Sequence, residues 1–280
     1  MKKEFLKYVS FNIVAMLGFS CYVLGDTFFV AQATGADGLA ALNIAIPAYS
    51  LVTAIGYMLG VGGATRFSLL GGRKTKSTAK VFTNVSYMGA AAAVIFIITG
   101  LFFIEPLSRL LGAEGEVLVY TIDYLQVILV ASPFFIFNNM INAFVRNDKE
   151  PHLAMIAMFS GSIMNIILDY IFMFRFGMGM FGAALATGIA PALGLAVLSA
   201  HFIRGKSNFC LTVSKPDFSI MADSIKPGGS AFVTELSNGI VVLVFNLLML
   251  TLTGNIGVTA YGVVANIAIV IIAVLNGVAQ

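Results

Sequence analysis

Charge is what this sequence has least of: Asp, Glu, Lys and Arg together make up 10% of its 280 residues. A water-soluble domain carries roughly 25%, so this chain does not have the charge to cover a soluble surface. Cysteine is nearly as scarce. Cys21 falls in the first apolar segment and Cys210 in a polar loop, so pairing them would dismantle any membrane topology, and a disulfide framework is excluded. The two histidines, His152 and His201, stand at the edges of apolar segments without metal-spaced partners. The long segments show no alternation of polar and apolar residues, which argues against an outer-membrane barrel. A net charge of +3 could suggest nucleic acid, but the basic residues are spread as a topology would spread them, and no nucleic-acid partner is expected.

Hydrophobicity is abundant, at 59% of residues, and it is organised. Eight apolar segments run over 8–31, 39–69, 82–104, 118–145, 153–174, 182–203, 227–252 and 258–280. Each reaches the roughly 20 residues that a helix needs to cross about 30 Å of hydrocarbon. These spans predict an all-α polytopic membrane protein. With a cytoplasmic N-terminus, every lysine and arginine falls inside except Arg109 and Arg175. This positive-inside bias predicts a multi-pass protein of the cytoplasmic membrane and makes the Arg73–Lys80 cluster a topogenic loop. No cleavable signal peptide is expected, because the first segment is too long for one and is interrupted by Asp26.

An internal repeat organises the spans. Thr34-Gly35-Ala36-Asp37-Gly38-Leu39-Ala40-Ala41 joins the first two segments, and Thr253-Gly254-Asn255-Ile256-Gly257-Val258-Thr259-Ala260 joins the seventh and eighth in the same frame. The expected domains are a six-helix transmembrane lobe (1–203), a cytoplasmic linker (204–226) and the first two helices of an incomplete second lobe (227–280). An even number of spans per unit would relate the lobes by an axis along the membrane normal.

Three carboxylates lie deep in these segments: Asp26, Asp169 and Glu235. Acids at such depth are costly and mark ion or substrate pathways. At 1.5 Å rise per residue, Asp26, Asp169, Tyr124 and Thr187 all fall about 8–9 Å below the outer boundary. Asn165 precedes Asp169 by four residues, and Tyr22 precedes Asp26 by four, so each pair shares a helix face. Such a layer of oxygens suits a hard cation, with Na+ expected at Asp26, Asn165, Asp169 and Thr187. It suits a proton equally, because burial and a neighbouring carboxylate both favour the neutral form of a carboxyl group. Glu235, about 12 Å from the cytoplasmic edge by the same rise, would face the cleft between lobes. Asn138, Asn139 and Asn142 read as helix-packing residues, and Gly56-x-x-x-Gly60 with Gly62 and Gly63 as close backbone contact.

Three stretches resemble the multidrug and toxic compound extrusion (MATE) family. They are Gly25-Asp26-Thr27-Phe28-Phe29-Val30 followed by Ala40-Ala41 and Pro47, the block from Asn165 through Asp169-Tyr170 to Gly182 and Thr187, and the block from Gly229 through Glu235 with Asn246 after it. The resemblance implies a MATE-like six-helix bundle plus the first two helices of a pseudo-two-fold-related second bundle, and not an enzyme. It implies export of small lipophilic or cationic solutes in exchange for Na+ or H+, with no other cofactor. Asp26 and Asp169 correspond to the family's first-lobe cation site, with Asn165, Thr187 and Tyr124 beside them. Glu235, with Tyr22, Asn142 and Asn246, would serve substrate or proton coupling. The first helix has no proline where some members bend, and helices nine to twelve are missing. A monomer in membrane lipid is expected unless another chain supplies those helices. A lipid-linked saccharide flippase is disfavoured by the lack of embedded Arg or Lys, and an intramembrane aspartyl protease by the lack of Gly-x-Gly-Asp before Asp26. A transport-inactive fragment is the remaining alternative.

Overall fold

The computed structural model describes the backbone of residues 2–254, 257, 260–265 and 267–268, and their side chains from Tyr22 onward apart from Leu250. Among the described residues every regular element is a helix. Helix α1 (Lys2–Leu69) is broken at Gly35, whose φ of 70° and ψ of −155° belong to a region that only glycine enters freely. The two arms fold back on each other, so that Tyr22 on the first hydrogen-bonds Tyr49 on the second. Helix α2 (Lys76–Phe102) starts earlier than its apolar run because Thr75 and Thr78 cap it reciprocally, at 3.2 and 3.0 Å. A short helix, α3 (Ile104–Leu110), follows and was not expected from hydropathy.

The expected fourth span is two helices, α4 (Gly115–Val130) and α5 (Ser132–Asn147), bent by 50°. Pro133 stands at the bend, where it lacks an N–H and its ring crowds the preceding turn. Next come α6 (Pro151–Asp169), a π-helical turn over Tyr170–Arg175, α7 (Gly179–Ile203) and α8 (Phe218–Thr253). Each apolar segment from 8–31 to 227–252 thus has a helical counterpart, and together they make a multi-pass membrane bundle. The segment 258–280 lies for the most part outside the described residues.

The polar linker is shorter than its composition suggests. Asp217 Oδ1 accepts from the N–H groups of Ser219 and Ile220, at 3.0 and 3.3 Å, and so starts α8 within the expected linker. The remaining strap lies across α2: Thr212 N donates to Thr83 Oγ1 at 2.9 Å, Asp217 N to Asn84 Oδ1 at 2.7 Å, and Tyr87 OH to the Ser214 carbonyl at 3.0 Å. Phe209 on the strap is fully buried among Phe67, Phe82, Phe144 and Phe202. Beside this knot Asp148, itself buried, pairs with His201 Nε2 at 2.8 Å and accepts from both the backbone N and Nδ2 of Asn208, each at 2.8 Å.

Helix α8 runs antiparallel to the second arm of α1 along a seam of small residues. A Cβ on Gly62 would collide with the Ser224 carbonyl, and one on Gly228 with the Met58 carbonyl. Gly239 faces Ser50, Asn246 Nδ2 donates to the Asn43 carbonyl at 2.9 Å, and Arg66 pairs with Asp223 at the lysine-rich end. Gly56 and Gly60 instead admit α5, whose Ile136 and Met140 backbone they approach. The two repeated turns also share their geometry. Gly254 has φ of 68°, and Thr34 and Thr253 both donate back to carbonyls four residues earlier, at 2.7 and 3.1 Å.

Asp148→Ala should cost about 3 kcal/mol, because it leaves buried His201 and two half-buried donors of Asn208 without their carboxylate. The check is the thermal midpoint in detergent, and a variant melting with the parent would contradict it. At the surface, the Lys206 ammonium 2.7 Å from Glu150 holds that carboxyl below its ordinary value. Its small contribution should be complete above about pH 4.3, the usual glutamate value, and vanish as pH falls through the lowered one. A Lys206→Met variant should therefore flatten the acid limb of the stability curve slightly.

Candidate cation site

The aspartate layer draws on four helices, α1, α4, α6 and α7. The first arm of α1 meets α6 at Gly25, which faces Ile166 at ordinary contact distance. Gly161 admits α7 more closely, since an added Cβ would sit 3.3 Å from the Ala190 carbonyl. The Asp26 and Asp169 carboxylates lie within electrostatic reach of each other. Asp26, Asn165, Asp169, Thr187 and Tyr124 are all buried.

Asn165 organises the layer. In the amide orientation that satisfies both neighbours, its Nδ2 donates to Asp169 Oδ2 at 2.9 Å and its Oδ1 accepts from Thr187 N at 3.2 Å. The opposite orientation would offer one longer bond, 3.4 Å to Thr187 Oγ1. Tyr124 lies beside Thr187, and Tyr22 lies within electrostatic reach of Asp26, Asp169 and Tyr124. One oxygen of each acid, Asp26 Oδ1 and Asp169 Oδ1, is buried with no hydrogen-bond partner. Two unpaired carboxylate oxygens among neutral amide and hydroxyl oxygens match the donor set of a hard monovalent ion, and also a site that holds a proton. Among the described residues no group of three or more His, Cys, Asp or Glu is placed to hold a metal ion.

The other residues singled out by sequence are placed elsewhere. Glu235 is half-buried on the α1–α8 seam and accepts from Thr53 Oγ1 at 3.0 Å. Asn246 lies further along the same seam. Asn142 ties α5 to α6 by donating to the Ala154 carbonyl at 2.8 Å while Arg146 donates to its Oδ1 at 3.3 Å. It is thus apart from the aspartate layer and occupied as a packing residue. Two features had escaped the sequence. Tyr49 bonds Tyr22 and lies within electrostatic reach of both Asp26 and Glu235. The π-helical turn begins directly after Asp169 and packs Tyr170 and Phe174 against Phe29, with ring centres 6.5 and 5.8 Å away. Such turns recur at functional sites. A tyrosine between acids and a turn of aromatic residues both look like ordinary membrane-helix composition, so no local signal marks them.

A family model described as MatE matches residues 12–171. Multidrug export protein MepA of Staphylococcus saprophyticus is 31% identical over 245 residues, which cover 86% of this chain and 54% of that protein. The protein of that name in Staphylococcus aureus (strain MRSA252) is 30% identical over the same extent. The solved structure of the MATE multidrug transporter DinF-BH superposes with a TM-score of 0.90 at 29% identity, covering 99% of this chain and 63% of its own. An inward-facing multidrug resistance MATE family transporter of the MOP superfamily gives 0.84 at 29% identity, with 92% and 59% covered. The chain spans about half the length of the curated relatives it matches.

Asn165→Ala would leave Asp169 Oδ2 and the Thr187 N–H without their partner, a loss of about 1–3 kcal/mol for a buried group. Thermal unfolding in detergent should register it, and Asn165→Gln should fail to restore the parent midpoint because the longer amide misses both partners.

Proposed function

The chain belongs to the MatE family, and on that premise we propose that it forms the larger part of an exporter of lipophilic or cationic solutes driven by inward flow of Na+ or H+. The observation that carries this reading is the meeting of Asp26 and Asp169 in a buried layer where one oxygen of each acid lacks a donor. The relatives' names, multidrug export protein and multidrug transporter, support the substrate class. The family sets the chain among transporters and not among enzymes.

In this reading residues 1–203 form the first lobe, 204–226 join the lobes, and 227–280 open the second. The lysine-rich end faces the cytoplasm, as the positive-inside bias implies. A cation entering from outside is held by Asp26 and Asp169, with the Asn165 amide and the Thr187 hydroxyl completing its shell. For Na+ these oxygens are the ligands. For H+ one carboxyl takes the proton and donates it to a neighbouring oxygen. Either occupant neutralises charge that is costly in a low-dielectric layer. Ion binding that differs between outward- and inward-open forms then shifts their populations. Tyr49, within electrostatic reach of both Asp26 and Glu235, would relay the state of the aspartate layer to the seam. Glu235 would meet the positive charge of a solute in the cleft, and a monomer suffices if the remaining helices belong to the same polypeptide.

Dye uptake into inverted vesicles under imposed Na+ or pH gradients tests the proposal, with this chain run beside a twelve-helix relative. Asp26→Asn and Asp169→Asn should each reduce gradient-driven uptake to background while the protein still inserts and melts cooperatively. Uptake at the parent rate in both variants would sink the mechanism. Dependence on one gradient alone identifies the coupling ion.

A further inference from the structure

Away from the aspartate layer, at the lysine-rich end, the strap, α2 and the first residues of α8 border an open pocket of about 440 Å³. Lys80 on the first turns of α2 and Lys215 on the strap line it, with Asn84, Ser214, Ser219 and Phe218 between them. Among the described residues neither lysine has an ion-pair partner. Ser214 Oγ is buried at the cavity without a hydrogen-bond partner, although the Ser214 carbonyl is held by Tyr87. Asp217 also lines the cavity, but its Oδ1 is turned into the first turn of α8, where it accepts two N–H groups. Arg73, Lys74 and Lys76, in the turn before α2 and at its first residue, add positive charge nearby.

The surroundings of this basic pocket are apolar and exposed. Val213 on the strap and Phe218, the first residue of α8, present most of their surface. On α2, Lys80 is followed at steps of seven, seven and four residues by Tyr87, Val94 and Ile98, all exposed, so one helix face carries a charge at its foot and hydrocarbon-facing side chains above it. Two cations with hydroxyls at the membrane edge, below an apolar stripe on the same face, reproduce the two ends of a lipid.

We propose that this pocket binds the headgroup of an anionic phospholipid, with the phosphate between Lys80 and Lys215, a headgroup hydroxyl at Ser214 or Ser219, and the acyl chains along the Tyr87–Val94–Ile98 face. Basic pockets at the cytoplasmic edge of membrane helices bind anionic headgroups through this chemistry. The strap joins the first six-helix lobe to α8, so a lipid seated here bridges the two and tightens the fixed end of the linker. The site uses none of the aspartate-layer residues and stands or falls independently of the export mechanism.

The chain has no tryptophan, so Phe218→Trp provides a single reporter at the pocket mouth. Full-length protein is reconstituted in phosphatidylcholine vesicles in which either brominated phosphatidylglycerol or brominated phosphatidylcholine is a minor component. Quenching by the brominated phosphatidylglycerol should reflect a preference on the order of tenfold, the scale expected of two lysines at a membrane surface. In the same reporter background Lys80→Gln with Lys215→Gln should abolish the preference, while Lys74→Gln with Lys76→Gln should keep it. An unchanged emission maximum and melting point in phosphatidylcholine alone establish that the variants are folded. Equal quenching by both lipids in the parent reporter would overturn the proposal, as would a preference that survives loss of Lys80 and Lys215. Equal loss in the Lys74 and Lys76 variant would reduce the effect to general surface charge and also overturn it. Erasure of the preference by millimolar glycerol phosphate at matched ionic strength would assign the pocket to free phosphate and reject the lipid.

Discussion

A bundle in hydrocarbon has no water to satisfy its polar groups, so each buried donor or acceptor must find its partner within the protein. Most of the structure obeys this requirement locally. Thr27, Thr34, Thr83, Ser86 and Thr121 return their hydroxyls to carbonyls four residues back. Asn142 and Asn246 tie neighbouring helices, and Asp148 is met by three donor groups. Oxygens of Asn43, Asn138, Asn246 and Ser214 are also buried without a partner, but among the described residues Asp26 and Asp169 supply the carboxylate oxygens in that state. An acid left without a donor is costlier than an amide or a hydroxyl, and it is the kind of group a reversible ion or proton site needs.

Close packing by small residues allows that layer to exist. Gly161 brings α6 and α7 near enough for Asn165 and Thr187 to meet, and Gly56 and Gly60 admit α5 to the second arm of α1. The α1–α8 seam uses the same device, with Gly62, Gly228 and Gly239 admitting the facing helix. Glu235 sits on that seam and accepts from Thr53, while Tyr49 on the same arm of α1 lies within electrostatic reach of both Glu235 and Asp26. Any motion that separates α8 from the second arm of α1 would break the Thr53–Glu235 bond.

How much could be read beforehand depended on the range of the interaction. The acids were conspicuous because charge in an apolar run is costly, and the Asn165–Asp169 pairing followed from helical period alone. Packing roles for Asn138 and Asn139 were also legible, and the structure sets them against Gly194 and Gly56. The early start of α8 was missed because the Asp217 cap lies in a stretch that composition marks as polar linker. The Asp148–His201 pair joins residues far apart in the chain, so no spacing rule finds it. The knot of five phenylalanines was equally hidden, since phenylalanine in a membrane helix faces lipid far more often than a partner ring.

The sequence by itself determined that this chain crosses a membrane as helices, where the turns fall and which carboxylates lie at depth. Those properties follow from transfer energy and backbone geometry, which act residue by residue along the chain. Only the tertiary structure decided that Asp26 and Asp169 come within electrostatic reach of each other, that Asn165 also bonds Thr187, and that Asn142 bonds the Ala154 carbonyl instead. Those facts depend on which helix faces meet. Within a bilayer almost every face is apolar, so hydropathy cannot distinguish them, and the choice falls to the fit of small residues and the pairing of a few buried polar atoms.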